Sequence, residues 1–364
     1  MTKPRGRDLG LPFSGETGVW NAITDVPGVK VGYKTLTDDT KNMRTGVTAI
    51  IPRDDEGEPR PIWAGHYSLN GNGEMTGTHW IDDAGYFIGP VCITNTHGIG
   101  MVHHGATRWM MQRWPEWYAS EHSWAMPVVA ETYDGVLNDI NAQFVTDQDA
   151  LDALNSAASG PVAEGNVGGG NGMICYEFKG GTGSSSRKVS FGGGNDFTVG
   201  ALVQANFGIR PWLTTCGVPV GEHLTNDRLR DRETGSIIVI LGTDAPLSRT
   251  SLRQLAKRAA IGIGRSGTPG GNSSGDIFLA FSTANVQDQP ETAPLLNSRV
   301  ELNIDRLDPL YLAAVQAVDE AVINAMVAAE TCPTFKPPGK ICAAIDTDAL
   351  KAVMQEYGRL IQPS

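Results

Sequence analysis

The stretch Asp227-Arg228-Leu229-Arg230-Asp231-Arg232-Glu233-Thr234 is charged and helix-poor, and it leads through Gly235-Ser236 directly into the apolar run Ile237-Ile238-Val239-Ile240-Leu241. That run, rich in β-branched residues, reads as a buried strand. Ser236 therefore stands where a solvated loop meets the mouth of the strand. A loop is accessible to chain cleavage, glycine permits the strained backbone that attack on its own carbonyl needs, and β-branched neighbours hold the serine rigidly. Scission of the Gly235-Ser236 bond would leave Ser236 with both a nucleophilic hydroxyl and a free α-amine. With a reference pKa of about 7.7 to 8.0, that amine is partly unprotonated near neutrality and can take the hydroxyl proton, so no histidine is required. The same local pattern also describes an ordinary loop-to-strand transition, and the rest of the chain has to discriminate between the two.

The 364 residues suffice for two average domains or one large layered one. No linker or composition break divides residues 1–364, which predicts a single domain. Glycine accounts for 44 positions, well above the roughly 7% of an average protein. Because these glycines sit between apolar runs, they predict turns and close backbone approaches, not disorder. A net charge of -11 and a pI near 5.1, with no long Lys/Arg cluster, argue against a nucleic-acid or anionic-membrane surface. Small molecules or peptides are the expected partners. Cys92, Cys175, Cys216, Cys332 and Cys342 are scattered, odd in number and without a CxxC pair, as suits reduced thiols. The N-terminus Met1-Thr2-Lys3-Pro4-Arg5-Gly6-Arg7-Asp8 is basic but has no apolar signal core, and no apolar run approaches a membrane span. Together these features predict a soluble, cytoplasmic protein.

Glycine turns separate short strands in the first part of the chain: 29–33, 46–52 and 91–95. Helical spacing predicts helices over 102–117 and 147–159. Strands return at 172–176 and 198–206. Beyond the Ser236 strand, a helix over 251–260 is followed by the nearly continuous apolar strand Ser274-Gly275-Asp276-Ile277-Phe278-Leu279-Ala280-Phe281, and then by helices over 309–329 and 346–360. Strands flanked by segregated helices predict layers of helix on sheet.

Several motif matches fail on context. Gly262-Ile263-Gly264-Arg265-Ser266-Gly267 has the GxGxxG form but follows a helix and enters a loop, the reverse of a dinucleotide site. Gly271-Asn272-Ser273-Ser274-Gly275 has the GxSxG form, yet no histidine follows His223 to complete a triad in the hydrolase order. The seven histidines include no HExxH and no i, i+4 pair, so no recognised zinc spacing is present. Trp63, Trp80, Trp109, Trp114, Trp117 and Trp124 read mainly as packing residues.

Other residues form a more coherent constellation. Ser274 and Asp276 lie two apart on a strand and share a face, with Gly275 leaving room for a close neighbour. A carboxylate linked to a hydroxyl can orient a second nucleophile. Glu131 and Tyr133 have the same spacing after another apolar run, and an acid beside a phenol suits a substrate ammonium. Asn206 ends an apolar strand, where its amide can donate to an oxyanion. Each of these residues could equally serve only to satisfy neighbouring backbone.

Seven stretches in order extend over nearly the whole chain: Ile23-Thr24-Asp25-Val26-Pro27-Gly28-Val29, Gly71-Asn72-Gly73-Glu74-Met75-Thr76-Gly77, Thr94-Asn95-Thr96, residues 178–187, residues 197–208, Gly235-Ser236-Ile237-Ile238-Val239, and residues 274–281. In combination they resemble the L-aminopeptidase/D-amidase-esterase family, which includes the β-peptidyl aminopeptidases. The resemblance implies an α+β protein with an αββα four-layer sandwich of N-terminal-nucleophile-hydrolase type. It further implies a precursor, or zymogen, that cuts itself into a 1–235 chain and a 236–364 chain. Ser236 would be the nucleophile, Asn206 an oxyanion donor, Glu131 the holder of the substrate's amino group, Tyr133 a site-lining hydroxyl, and Ser274 with Asp276 the support of the nucleophile. Position 276 carries Asp where some members have Glu. No metal or organic cofactor and a homo-oligomer of paired chains are implied as well. The expected activity is removal of an N-terminal residue from short peptides, amides or esters, of L-α, D or β type. Acyl transfer to an amine acceptor is the alternative.

Overall fold

Alternating apolar residues in glycine-bounded runs build two facing sheets. In the computed structural model, which describes residues 3–230 and 232–361, the elements run β1 (Lys30–Asp38), β2 (Met43–Ile51), β3 (Pro61–Ser68), α1 (Thr78–Ala84), β4 (Tyr86–Ile88), β5 (Val91–Asn95), α2 (Ile99–Arg113), α3 (Pro115–Ser120), β6 (Val128–Thr132) and α4 (Asp147–Asn155). They continue with β7 (Ile174–Cys175), β8 (Phe178–Lys179), β9 (Gly181–Ser190), β10 (Asp196–Asn206), α5 (Val220–His223), β11 (Ser236–Thr243), α6 (Arg249–Arg265), β12 (Gly275–Ser282), α7 (Asp308–Val327), β13 (Cys332–Pro333), β14 (Ile341–Cys342) and α8 (Thr347–Glu356). Met1 and Thr2 of the basic N-terminal stretch and Asp231 of the charged loop lie outside the described residues.

One sheet has the order β1-β2-β5-β6 and the other β4-β3-β12-β11-β10-β9. Within the larger sheet only β11 and β12 are parallel, joined by the crossover helix α6. Between the sheets lies an apolar layer in which Ile93, Val128 and Ala130 meet Leu202, Ile238, Ile240 and Leu279, all fully buried. On the outer faces, α2 and α4 cover the smaller sheet through Val102, Met110 and Leu151, while α6 and α7 cover the larger one through Leu252, Leu255, Val318 and Val322. The result is the expected αββα sandwich. Because helices cover one face of β11 and the second sheet the other, its outward Ile237, Val239 and Leu241 are as buried as its inward Ile238 and Ile240. Gln204 ties the sheets together, its Nε2 donating to Thr94 O at 2.9 Å and to Thr132 Oγ1 at 2.7 Å.

The glycine excess is used where helix backbone lies on strand backbone. A Cβ at Gly32 would sit 2.1 Å from Ala153 O of α4, one at Gly65 2.2 Å from Arg253 N of α6, and one at Gly183 2.0 Å from Ala321 O of α7. Each of these helices therefore docks on a strand glycine, at a separation no side chain would allow.

Some boundaries differ from the sequence expectation. The 102–117 helix breaks into α2 and α3 at Trp114, because Pro115 lacks an N–H and disfavours helical backbone before it. Helix α1, between Gly77 and Gly85, was not anticipated. The 172–176 strand shrinks to β7, where Tyr176 and Glu177 turn with φ of 50° and 63°. The GxGxxG stretch lies largely inside α6, which runs on to Arg265. Trp80 and Trp124 are exposed, unlike the four other tryptophans named. By length and a mean hydropathy of 1.4, α7 matches a membrane span that the sequence reading did not find, but its apolar window is 83% buried against β9, β10 and α6.

Overpacking predicts that Gly183→Ala lowers stability by about 1–3 kcal/mol, seen as a lower thermal unfolding midpoint. Gly264→Ala, on α6 with open space around its Cβ position, should be neutral or slightly stabilising in the same measurement.

Candidate active site

Register places the site at the open end of β10, β11 and β12. Antiparallel pairing sets Ser236 opposite Asn206, and parallel pairing sets it beside Gly275. Ser236 shares the inward face with Ile238 and Ile240, so its hydroxyl points between the two sheets. There the Gly275 N–H donates to Ser236 Oγ at 3.0 Å, and the hydroxyl donates to the Gly235 carbonyl at 2.9 Å. The Ser236 hydroxyl and the carbonyl of the residue before it are thus in contact in the unbroken chain. A Cβ at Gly235 would lie 1.9 Å from Asn206 O, so only glycine allows β10 to lie this close to the bond.

Across the gap, β6 presents Glu131, 5% exposed. Its Oε1 accepts from the Glu74 N–H at 2.9 Å, and its Oε2 accepts from Thr96 Oγ1. Burial pushes the carboxyl pKa up, while these hydrogen bonds oppose the shift. The loop 69–76 laces the two sheets together over the site. Leu69 N–H donates to Asp276 O, Asn72 Nδ2 to Ser273 O at 2.6 Å, and Thr76 N–H to Val129 O. A Cβ at Gly73 would be 3.1 Å from Glu131 Oε1 and 3.4 Å from Gly275 Cα, so the carboxylate and the serine strand converge on this glycine. A Cβ at Gly275 would in turn meet Asn72 O at 2.4 Å.

Asn206 is buried and fixed at both ends of its amide. Oδ1 accepts from Ile174 N–H at 2.8 Å, and Nδ2 donates to Tyr133 O at 3.0 Å, which leaves one N–H uncommitted. Ser274 Oγ donates to Asp276 Oδ1 at 2.5 Å, and Asn70 Nδ2 donates to Oδ2 at 3.0 Å. Burial raises the Asp276 pKa, opposed by these two donors and by the Ile237 N–H. By alternation with Ile277 and Phe278, Asp276 lies on the outward face of β12, opposite to the Ser236 hydroxyl. On that face Asp276 pairs in register with Ile237, the residue after Ser236, and its short side chain still meets Ser274. The Tyr133 phenol is 42% exposed and folds over Gly135, where a Cβ would strike its oxygen at 2.3 Å. Its backbone carbonyl, not its hydroxyl, is what joins Asn206.

Sequence reasoning overlooked several participants. Glu233 Oε1 accepts from the Gly235 N–H at 2.6 Å, while Oε2 is buried without a partner among the described residues. Thr96, Asn70 and the Glu74 amide carry no local signal that marks them as partners of Glu131 and Asp276. Only the three-residue spacing of Glu233 from Ser236 in the loop could have drawn attention to the first. No group of three metal-ligating side chains comes together among the described residues.

Comparison with known proteins identifies the family and the fold type. The family model for peptidase family S58 matches residues 21–337. A β-peptidyl aminopeptidase BapA from Sphingosinicella microcystinivorans is 47% identical over 98% of this chain and 93% of its own length. Its namesake from Sphingosinicella xenopeptidilytica is 41% identical over 91% and 86%. Among solved structures, the L-aminopeptidase D-Ala-esterase/amidase of Ochrobactrum anthropi, described as a variant of the Ntn hydrolase fold, superposes with a TM-score of 0.94 at 55% identity, covering 98% of this chain and all of that one. A Burkholderia sp. β-aminopeptidase superposes at 0.89 with 42% identity, over 98% and 99%. The four-layer sandwich is thus of the N-terminal-nucleophile-hydrolase type, and the chain belongs to peptidase family S58 as a serine-type aminopeptidase/amidase hydrolase.

Proposed function

We propose that Ser236 is released as an N-terminal nucleophile by self-cleavage after Gly235, and that it then removes the first residue of short peptides, amides or esters through an acyl-enzyme. The observation that carries this reading is the seating of Ser236 Oγ between the Gly275 N–H and the carbonyl of Gly235. Attack of Oγ on that carbonyl forms an ester and frees the Ser236 amine, and water then cleaves the ester to leave residues 1–235 and 236–364 as two associated chains. In turnover the α-amine takes the hydroxyl proton as Ser236 attacks the substrate carbonyl, and later returns it to the leaving amine. The free N–H of Asn206 stabilises the oxyanion, and Glu131 pairs with the substrate ammonium. Ser274 and Asp276, bonded to each other on the strand paired with Ser236, brace the nucleophile's neighbour, while the Tyr133 hydroxyl lines the approach.

The relatives' activities support substrates with a free amino group on a β-, D- or L-α-residue. Free, mostly buried thiols at all five cysteines favour a reducing, cytoplasmic setting. Leu295, Leu296 and Val300, exposed on the 286–304 segment, favour a homo-oligomer of cleaved units.

Denaturing electrophoresis tests the cleavage. Wild-type protein should run as fragments of about 25 and 14 kDa, in proportion to 235 and 129 of the 364 residues in 38.8 kDa. Ser236→Ala should give one full-length band, and two bands from that variant would place the nucleophile elsewhere.

Two substitutions test the roles in turnover on cleaved material. Asn206→Ala should lower kcat by about a hundredfold or more, the usual consequence of losing one oxyanion donor. A loss of tenfold or less argues against its role. Glu131→Gln keeps the shape but removes the charge. It should raise KM for free-amine substrates by roughly 10–100-fold with a smaller change in kcat, as expected for a charged hydrogen bond of about 1.5–3 kcal/mol.

A further inference from the structure

The outer face of the larger sheet holds a cavity of about 310 Å³ between the N-terminal segment, α6, α7 and the chain's C-terminal end. Its wall includes Arg187, Arg265, Gln316, Asp319 and Arg359. The cavity is separate from the candidate active site. Arg187 alternates with Val189 on the face of β9 that α7 covers, whereas Ser236 faces inward between the sheets.

The charges in this cavity are only partly satisfied. Arg187 is committed: its guanidinium donates to Glu320 Oε2 at 2.6 Å and to the carbonyls of Ser14, Ser186 and Gln316. Arg265 and Arg359 are exposed at the cavity's rim, with no carboxylate within salt-bridge distance among the described residues; Arg359 Nη2 donates to Cys216 O at 3.2 Å. Asp319 is 8% exposed, and its Oδ1 is buried with no hydrogen-bond donor among the described residues. A buried carboxylate oxygen without a donor is costly, and natural proteins seldom keep one unless something supplies the missing partner. Burial pushes this carboxyl up to about 6, opposed by the positive charges of Arg265 and Arg187 and reinforced by the negative charge of Glu320.

We propose that this cavity binds a free amino acid as its zwitterion, with the ammonium on Asp319 and the carboxylate on Arg265 and Arg359. An inorganic anion would satisfy the two guanidiniums and leave Asp319 without a donor. A simple amine would do the reverse. One small molecule carrying both charges completes the set, with charge-assisted hydrogen bonds at each end. The volume is at the small end of the roughly 300–1,000 Å³ typical of ligand sites, which fits a single amino acid better than a peptide. An aminopeptidase releases such molecules with every turnover, so the site would be exposed to product at the concentration the enzyme itself generates.

Calorimetric titration of the full-length protein tests the proposal, with glycine, L-alanine and β-alanine as probes and acetate and methylammonium as single-charge controls. The Glu131→Gln background removes the ammonium partner of the candidate active site. In that background at least one zwitterion should bind saturably, and both controls should bind at least tenfold more weakly. Asp319→Asn and Arg359→Gln should each weaken that binding tenfold or more. In an otherwise wild-type chain each should keep its initial rate of hydrolysis. If Asp319→Asn fails to fold, Arg359→Gln, on an exposed side chain, carries the test alone. Three results would overturn the proposal: no saturable zwitterion binding, binding unchanged in the cavity variants, or acetate binding as tightly as the amino acids.

Discussion

The parallel register of β11 and β12 is the constraint on which the site depends. It aligns Ser236 with Gly275, so that the first N–H of one strand points at the hydroxyl that begins the other. Parallel neighbours require a crossover, supplied here by α6, and both faces must be covered, which the second sheet and the outer helices accomplish. A one-residue slip would turn Ser236 toward α6 and α7 and bring Ile237 into the gap between the sheets. Burial of the apolar residues on both faces makes that slip expensive, and the same burial thereby aims the hydroxyl.

Around this pair the backbone is drawn in closer than side chains permit. Gly235 lies against Asn206 O, Gly275 against Asn72 O, and Gly73 between Glu131 and Gly275. The same device operates on the outside, where Gly32, Gly65 and Gly183 seat α4, α6 and α7. Glycine in this chain is thus chiefly a means of close approach, holding the carboxylate, the amide and the serine within one small volume.

Polar groups buried at the site are almost all engaged. Glu131, Asp276 and Asn206 each have partners that hold one geometry, and the desolvation that raises the two carboxyl pKa values is partly offset by those donors. Asp319 and Glu233 are the contrasting cases, each with a buried carboxylate oxygen that has no donor among the described residues. In Glu233 the partnered oxygen faces the amide of Gly235, whereas Asp319 opens into a cavity of its own.

Much of this architecture was legible along the chain. The apolar run after Ser236, the strand over 91–95 and the long C-terminal helix follow from local pattern, because burial of a strand or a helix face writes a short-range period into the sequence. The pairing of Ser274 with Asp276 follows from the same period of two. The contributions of Thr96, Gly73 and Asn70, the outward orientation of Asp276, and the convergence of Arg265, Arg359 and Asp319 on one cavity could not be read this way. They arise between residues tens to hundreds of positions apart, and only the packing of two sheets and their helices sets such distances. The sequence by itself therefore determined which segments form strands and where a serine begins one. Tertiary structure alone decided what faces that serine, since long-range contacts leave no periodic trace in a single chain.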